Sequence, residues 1–276
     1  MEEERLDIRL IREGRASSRE KAKELIGNGF VSVNGRPAKK AGQTVKEEDL
    51  IEVAVPAVSA GDYRSEEVFV SRGGHKLARA LQFFGIDPAG LCCLDAGAST
   101  GGFTDVLLRR GAARVFAVDV GHGQFDPELA KDERITVREG VNVRYLSVED
   151  FPGPMDLVTA DLSFISLTKV LEPLEALLAE GGTLVCLVKP QFEAGPGAVD
   201  KNGVIRDGRV RLGVLRRVCA AAAGLGLSVR GITYSPIKGP EGNVEFLLYA
   251  VKDGRGAVPE DEALRRAVEE AAQVLG

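Results

Sequence analysis

Residues 91–108 read LCCLDAGASTGGFTDVLL, and the fold turns on this stretch. A short apolar run (91–95), a glycine-rich loop and an apolar-periodic run (103–110) follow one another, the order strand, loop, helix. Working outward, the spacing predicts strands at 115–120, 135–139, 157–161 and 183–188, and helices at 167–179 and 210–223. Two further strands are expected at 228–234 and 244–251; the SPIKGPEGN segment between them is too short for a helical crossover, which predicts an antiparallel hairpin at the sheet edge. Short apolar strands alternating with helices mean an α/β fold with a mostly parallel, doubly wound sheet.

In such sheets ligands bind beyond the carboxyl ends of the strands, near the switch point. The loop there, Asp95 to Gly102 with Phe103 opening the helix, includes Gly97, Ser99, Thr100 and Gly101. Its glycines let backbone approach a nucleotide, and Asp119, 22 residues beyond Gly97 and followed by Val120, is placed to take two ribose hydroxyls. Residues 97–101 also spell GxSxG, but a nucleophile elbow needs a late histidine and only His122 follows Ser99. A dinucleotide dehydrogenase wants GxGxxG, and Asp95 would repel a pyrophosphate. A carboxylate there suits a cationic amino-acid head group, which favours S-adenosylmethionine as cofactor.

Charged groups close several strand ends: Asp161 in DLSFISL, Lys189 in KPQFE, Glu245 opening the last strand, and Lys76 in SRGGHKL on the helix before the first strand. Convergence of four such groups on one sheet edge marks a candidate site. Four cysteines without CxxC spacing and two histidines argue against a metal site or disulfide framework. With 44% hydrophobic and 28% charged residues the chain is not mainly disordered. No apolar stretch approaches the roughly 18 residues of a membrane span and no leader pattern opens the sequence, so a cytoplasmic protein without membrane partners is expected.

Residues 5–46 carry eleven Lys/Arg against four Asp/Glu, a local charge of +7 in a chain whose net charge is −5. Arg5, Arg9 and Arg12 recur at helical spacing up to Gly14; Ser17 to Glu20 fits a capping box opening a second helix with Arg19 and Lys23 on one face. Residues 30–39 read as a hairpin turning at Asn34-Gly35, and 49–53 as a strand. With Arg36, Lys39 and Lys40, these basic residues form a candidate RNA phosphate-backbone surface. The segment resembles the RNA-binding module named after the fourth small-subunit ribosomal protein, chiefly through ASSREKAKELIGNGFVSVNG. The expected organisation is an RNA-binding domain at 1–56, a linker at 57–70, a second domain at 71–252 and an acidic, helical tail at 253–276.

Together LDAGASTGGFTDVLL, DLSFISL, VKPQFEAG and GNVEFLLY resemble the TlyA family of ribosomal RNA 2′-O-methyltransferases. The resemblance implies a Rossmann-like, FtsJ-like catalytic domain, S-adenosylmethionine as cofactor, no metal, and a ribosomal RNA or ribosomal subunit as partner. It places the family's catalytic tetrad on Lys76, Asp161, Lys189 and Glu245, and cofactor contacts on residues 95–102, Asp119, Asp161 and Phe164. The implied acceptor is a cytidine in large-subunit RNA, with small-subunit RNA left open as a second substrate. The chain departs from the family in having no tryptophan; Glu67-Val68-Phe69-Val70 stands where family members carry one.

A ribose 2′-hydroxyl is a weak nucleophile, so alignment and help with one proton are the enzyme's work. Lys189 is expected at the attacking oxygen, its pKa lowered by Lys76, with Asp161 orienting it and Glu245 fixing both lysines. A silent RNA-binding protein or a cytolysin are the alternatives; an intact tetrad and the missing membrane-length segments speak against them.

Overall fold

The computed structural model describes residues 3–13, 19, 22–23, 26, 31–53 and 67–276. The chain divides into two compact units, residues 1–58 with 64–68, and residues 59–63 with 69–276.

In the first unit β1 (Glu3–Arg5) leads directly into α1 (Leu6–Arg12). β2 (Val31–Val33) and β3 (Arg36–Pro37) form the expected hairpin; Asn34 and Gly35 have φ of 53° and 73°, the paired left-handed residues of a type I′ turn. β2 also pairs with β5 (Ile51–Val53), while β1 pairs with β4 (Thr44–Lys46), a two-stranded ladder the sequence reading missed. Three charged residues carry no alternation to read, so β1 exists through its partner. Leu6 and Leu10 of α1 bury completely against Ala22, Ile26, Val31, Val45 and Ile51. Gly14 and most of the expected capping box lie outside the described residues, as does linker segment 57–66.

The second unit is built on seven strands in the order β11-β12-β10-β9-β6-β7-β8. They are β6 (Cys92–Ala96), β7 (Arg114–Asp119), β8 (Ile135–Glu139), β9 (Met155–Ala160), β10 (Leu178–Val188), β11 (Leu227–Tyr234) and β12 (Phe246–Lys252). β6 through β10 are mutually parallel; β12 runs antiparallel between β10 and the edge strand β11, so the expected hairpin is present. The chain moves outward from β6 to β7 and β8, then returns to β6's other side as β9. That reversal puts the crevice at the carboxyl ends of β6 and β9.

α2 (Gly73–Phe84), α3 (Gly102–Arg109), the single turn α5 (Pro190–Glu193), α6 (Gly208–Gly224) and α7 (Asp261–Leu275) accompany the sheet. The helix expected over 167–179 is instead a 3₁₀ turn (Leu167–Lys169) followed by α4 (Leu171–Ala176). The Leu177 carbonyl accepts the Met155 amide and Leu178 already pairs with Met155, so strand pairing overrides helix propagation. The acidic tail helix α7 belongs to this unit, with Leu264, Ala267, Val268 and Ala271 buried and Asp261 paired to Arg216 of α6.

Candidate active site

The loops after β6 and β9 come into backbone contact. Asp161 N–H donates to the Ala96 carbonyl at 3.0 Å, and a Cβ on Gly97 would sit 2.6 Å from the Asp161 carbonyl oxygen. Gly97 has φ of 84°, and two non-glycine residues nearby are also left-handed, Ser99 at 48° and Phe164 at 62°. Such strain persists where the surroundings impose it, commonly at sites that bind or react.

These loops wall a cavity of about 450 Å³ lined by Gly97, Ser99, Val118 to Gly121, Gln124, Val141 to Val143 and Asp161 to Ile165. Asp119 faces it with its carboxylate oriented by two amides, Ser99 N–H at 2.8 Å and Gly121 N–H at 2.7 Å. Glu139 accepts from the amides of Gly123, Gln124 and Phe125, bonds that hold its carboxyl below the usual range and shape the wall after β7. Phe164, 90% exposed, stands at the rim with its ring 5.2 Å from that of Phe192.

Gly97, Ser99, Asp119, Val120, Asp161 and Phe164 line the cavity as expected; five other expected contacts do not. Asp95 is wholly buried, accepting from Thr104 Oγ1 at 2.7 Å, and presents no oxygen to the cavity. Burial pushes its carboxyl up to about 7, against the opposing hydrogen bond from Thr104. Thr100 and Phe103 are absent from the lining, and Phe103 is in the core. Gly101 and Gly102 are small for their own chain: a Cβ on Gly101 would crowd Leu129 and Phe125, and one on Gly102 would strike Ser71 Oγ and Gly74 N. Gln124, Asn142 and Ser163 line the cavity without having been foreseen. Ser163, two residues past Asp161 in DLSFIS, was within reach of a motif reading; Gln124 and Asn142 carry no local signal.

The three charged strand-end groups and Lys76 of α2 do meet. Glu245 Oε2 lies 2.7 Å from Lys76 Nζ, Lys76 Nζ 3.5 Å from Asp161 Oδ2, and Asp161 Oδ1 2.6 Å from Lys189 Nζ, which also donates to Ser163 Oγ at 2.9 Å. Glu245, Lys76 and Lys189 are buried, whereas Asp161 keeps 19% side-chain exposure on the cavity wall. Burial alone would lower the Lys76 ammonium, but the carboxylates of Asp161 and Glu245 outweigh it and raise its pKa. Burial likewise opposes ionisation of Asp161, and Lys76 and Lys189 together pull its carboxyl below the ordinary value. Two expectations change: Asp161 stands between the lysines, and Glu245 holds Lys76 alone.

Phe69 of the interdomain tetrapeptide is buried edge-on against His75, with the Arg109 guanidinium 5.4 Å from its ring centroid, and Val70 N–H donates to Asp105. In the first unit Lys23, Arg36, Lys39 and Lys40 are exposed. Arg5 and Arg19 reach outward while sharing the buried Asp7, and Arg12 pairs with Glu4. Arg9 overturns its expected role as a surface phosphate contact: it is buried, donating to the carbonyls of Lys46 and Glu47 and to Glu13. Among the described residues no acidic, Cys or His group could hold a metal ion, and no helix is long and apolar enough to cross a membrane.

The sheet order, the strand-end cavity and the ionic chain beside it define a methyltransferase: residues 69–252 match the FtsJ-like methyltransferase family, and residues 4–51 match the S4 domain. Across 245 residues the chain is 47% identical to the 16S/23S rRNA (cytidine-2′-O)-methyltransferase TlyA of Mycobacterium tuberculosis, covering 89% of this chain and 88% of that protein. The chain belongs to the TlyA family of FtsJ-like methyltransferases. It is also 35% identical to the 23S rRNA (cytidine-2′-O)-methyltransferase TlyA of Campylobacter jejuni, over 86% of this chain and 95% of that one. A solved chain from Streptococcus thermophilus that carries a hemolysin label superposes with a TM-score of 0.78 at 36% identity, covering 99% of this chain and 97% of that chain.

Proposed function

We propose that the chain transfers a methyl group from S-adenosylmethionine to the ribose 2′-hydroxyl of a cytidine in ribosomal RNA, principally that of the large subunit. A ribosomal substrate puts the enzyme in the cytoplasm. The cavity fits the cofactor: its volume is in the range of a nucleotide-sized site, and Asp119 has a pre-oriented carboxylate with lone pairs left for two ribose hydroxyls. When bound, S-adenosylmethionine supplies an activated methyl group on a cationic sulfur.

The observation that carries the mechanism is the chain Glu245–Lys76–Asp161–Lys189 ending beside the cavity. Lys76, held by two carboxylates, stays protonated at neutral pH; Asp161, its pKa lowered, stays ionised and is too weak a base for a hydroxyl. Lys189 is the lysine placed at the 2′-oxygen, because both of its partners, Asp161 and Ser163, line the cavity. Asp161 and Ser163 fix its Nζ, and Glu245 acts one step removed, by anchoring Lys76. The exposed basic residues of the N-terminal unit contribute sequence-independent affinity for the RNA backbone.

The test is incubation with radiolabelled S-adenosylmethionine and each ribosomal RNA, followed by mapping of any 2′-O-methyl group. Lys189→Ala should lower single-turnover transfer by at least about 100-fold, the low end for general acid–base help, while both ligands still bind. Lys189→Arg should restore little, since a guanidinium keeps its proton. Transfer by Lys189→Ala within threefold of wild type sinks the mechanism, and no methylation of either RNA sinks the function.

A further inference from the structure

Lys189 and Asp161 lie on different loops, one after β10 and one after β9, and their 2.6 Å ion pair needs those loops held in register. An ion pair is weakly directional and cannot set that register alone. The loop after β9 is strained, with Phe164 left-handed at φ 62° and 90% exposed, so an anchor outside the reacting groups is required.

Glu193 supplies such an anchor. It ends α5, the turn that starts immediately after Lys189. Its Oε1 accepts the Leu167 amide at 2.6 Å and its Oε2 accepts the Ser166 hydroxyl at 2.7 Å, both at the far end of the loop that begins with Asp161. Its own carbonyl accepts from Arg217 of α6 at 2.6 Å, which ties the clamp to the longest helix of the catalytic unit. Other contacts between the two loops, Lys189 with Asp161 and Ser163 and Phe192 with Phe164, use groups at the cavity or the reacting cluster. Glu193 bridges the loops away from them.

We infer that Glu193 is a positioning residue that pins the Asp161–Ser166 loop to the Lys189–Phe192 turn and thereby sets the Lys189–Asp161 geometry. The inference rests on the methyl-transfer reading for its kinetic arm and on the hydrogen bonds alone for its structural arm. Charge is not what the clamp needs: a glutamine can still accept from the Leu167 amide and donate to the Ser166 oxygen.

The structural arm is amide hydrogen exchange. Glu193→Ala should speed exchange at Leu167 at least tenfold, and Glu193→Gln should restore protection to within threefold of wild type. Unchanged exchange at Leu167 in Glu193→Ala overturns the inference whether or not the enzyme methylates RNA. In the kinetic arm, Glu193→Ala should lower kcat at least tenfold with the RNA KM within threefold, and Glu193→Gln should recover most of kcat. The milder Ser166→Ala, which puts the fold at least risk, should lower kcat and add nothing further in the Glu193→Ala background. Additive losses, or Glu193→Gln as slow as Glu193→Ala, reject the clamp. Absence of transfer by the wild-type enzyme instead rejects the proposed function and leaves the exchange result to decide the role of Glu193.

Discussion

Between the hydroxyls of Thr104 and Thr159, the Asp95 carboxyl has its pKa pushed up to about 7 by burial, from an ordinary value of 3.8. Because the folded value lies above the unfolded one, the native state holds the extra proton between about pH 4 and pH 7 and loses stability as the pH rises through that window. Asp95→Asn removes the titrating group while leaving Thr104 an acceptor. Relative to wild type, its unfolding free energy should therefore improve from pH 5 to pH 8, with a ceiling on the order of 3 kcal/mol, since about two units of the window lie between pH 5 and pH 7 at about 1.36 kcal/mol each. Urea denaturation of both proteins at the two pH values checks this; parallel pH dependences would exclude a raised Asp95 pKa. Asp95 and Asp119 both lie in the carboxyl-terminal ends of parallel strands, and only packing distinguishes them. One is sealed by two threonines, the other opens onto the cavity.

At the scale of the element, glycines with different surroundings should respond in opposite directions. Gly97 is left-handed and its missing Cβ would press on the Asp161 carbonyl, so Gly97→Ala should lose at least about 1–2 kcal/mol for backbone conformation alone and weaken cofactor binding. Gly213 lies inside α6 with open space around it, and Gly213→Ala should stabilise the protein by about 0.5–1 kcal/mol through helix propensity. Denaturant midpoints at constant m-value report both; a Gly97→Ala midpoint equal to wild type contradicts the close approach of the two loops. The longest misread element obeys the same logic: residues 167–179 have helical periodicity, but pairing of Leu178 with Met155 starts β10 early.

Across the molecule the charge is segregated, and the basic N-terminal unit contains two kinds of arginine and lysine. Lys23, Lys39 and Lys40 are exposed, so replacing all three with alanine should weaken RNA binding and reduce its log–log salt slope by about 0.7–0.9 for each lysine that neutralises a phosphate. Cofactor affinity should stay within twofold. Arg9→Ala should instead lower the stability of its unit, because it removes a buried guanidinium that donates to the Lys46 and Glu47 carbonyls and pairs with Glu13. Salt titrations of RNA affinity beside thermal melts separate the two. A triple variant with the wild-type salt slope removes the phosphate role of these lysines.

The alternation of strands and helices, the glycine loop at the first strand end, the edge hairpin and the four charged residues of the site were legible in the sequence because each depends on local periodicity or on residues a few positions apart. Tertiary structure alone decided which carboxylate faces the cavity, that Asp161 separates the two lysines, that Gly101 and Gly102 serve neighbouring side chains, and that Arg9 is buried. Those outcomes depend on contacts between segments far apart in the chain, as far as the 169 residues separating Lys76 from Glu245. Packing sets them, since burial and the nearest opposite charge determine whether a polar group reacts, binds or holds the fold together.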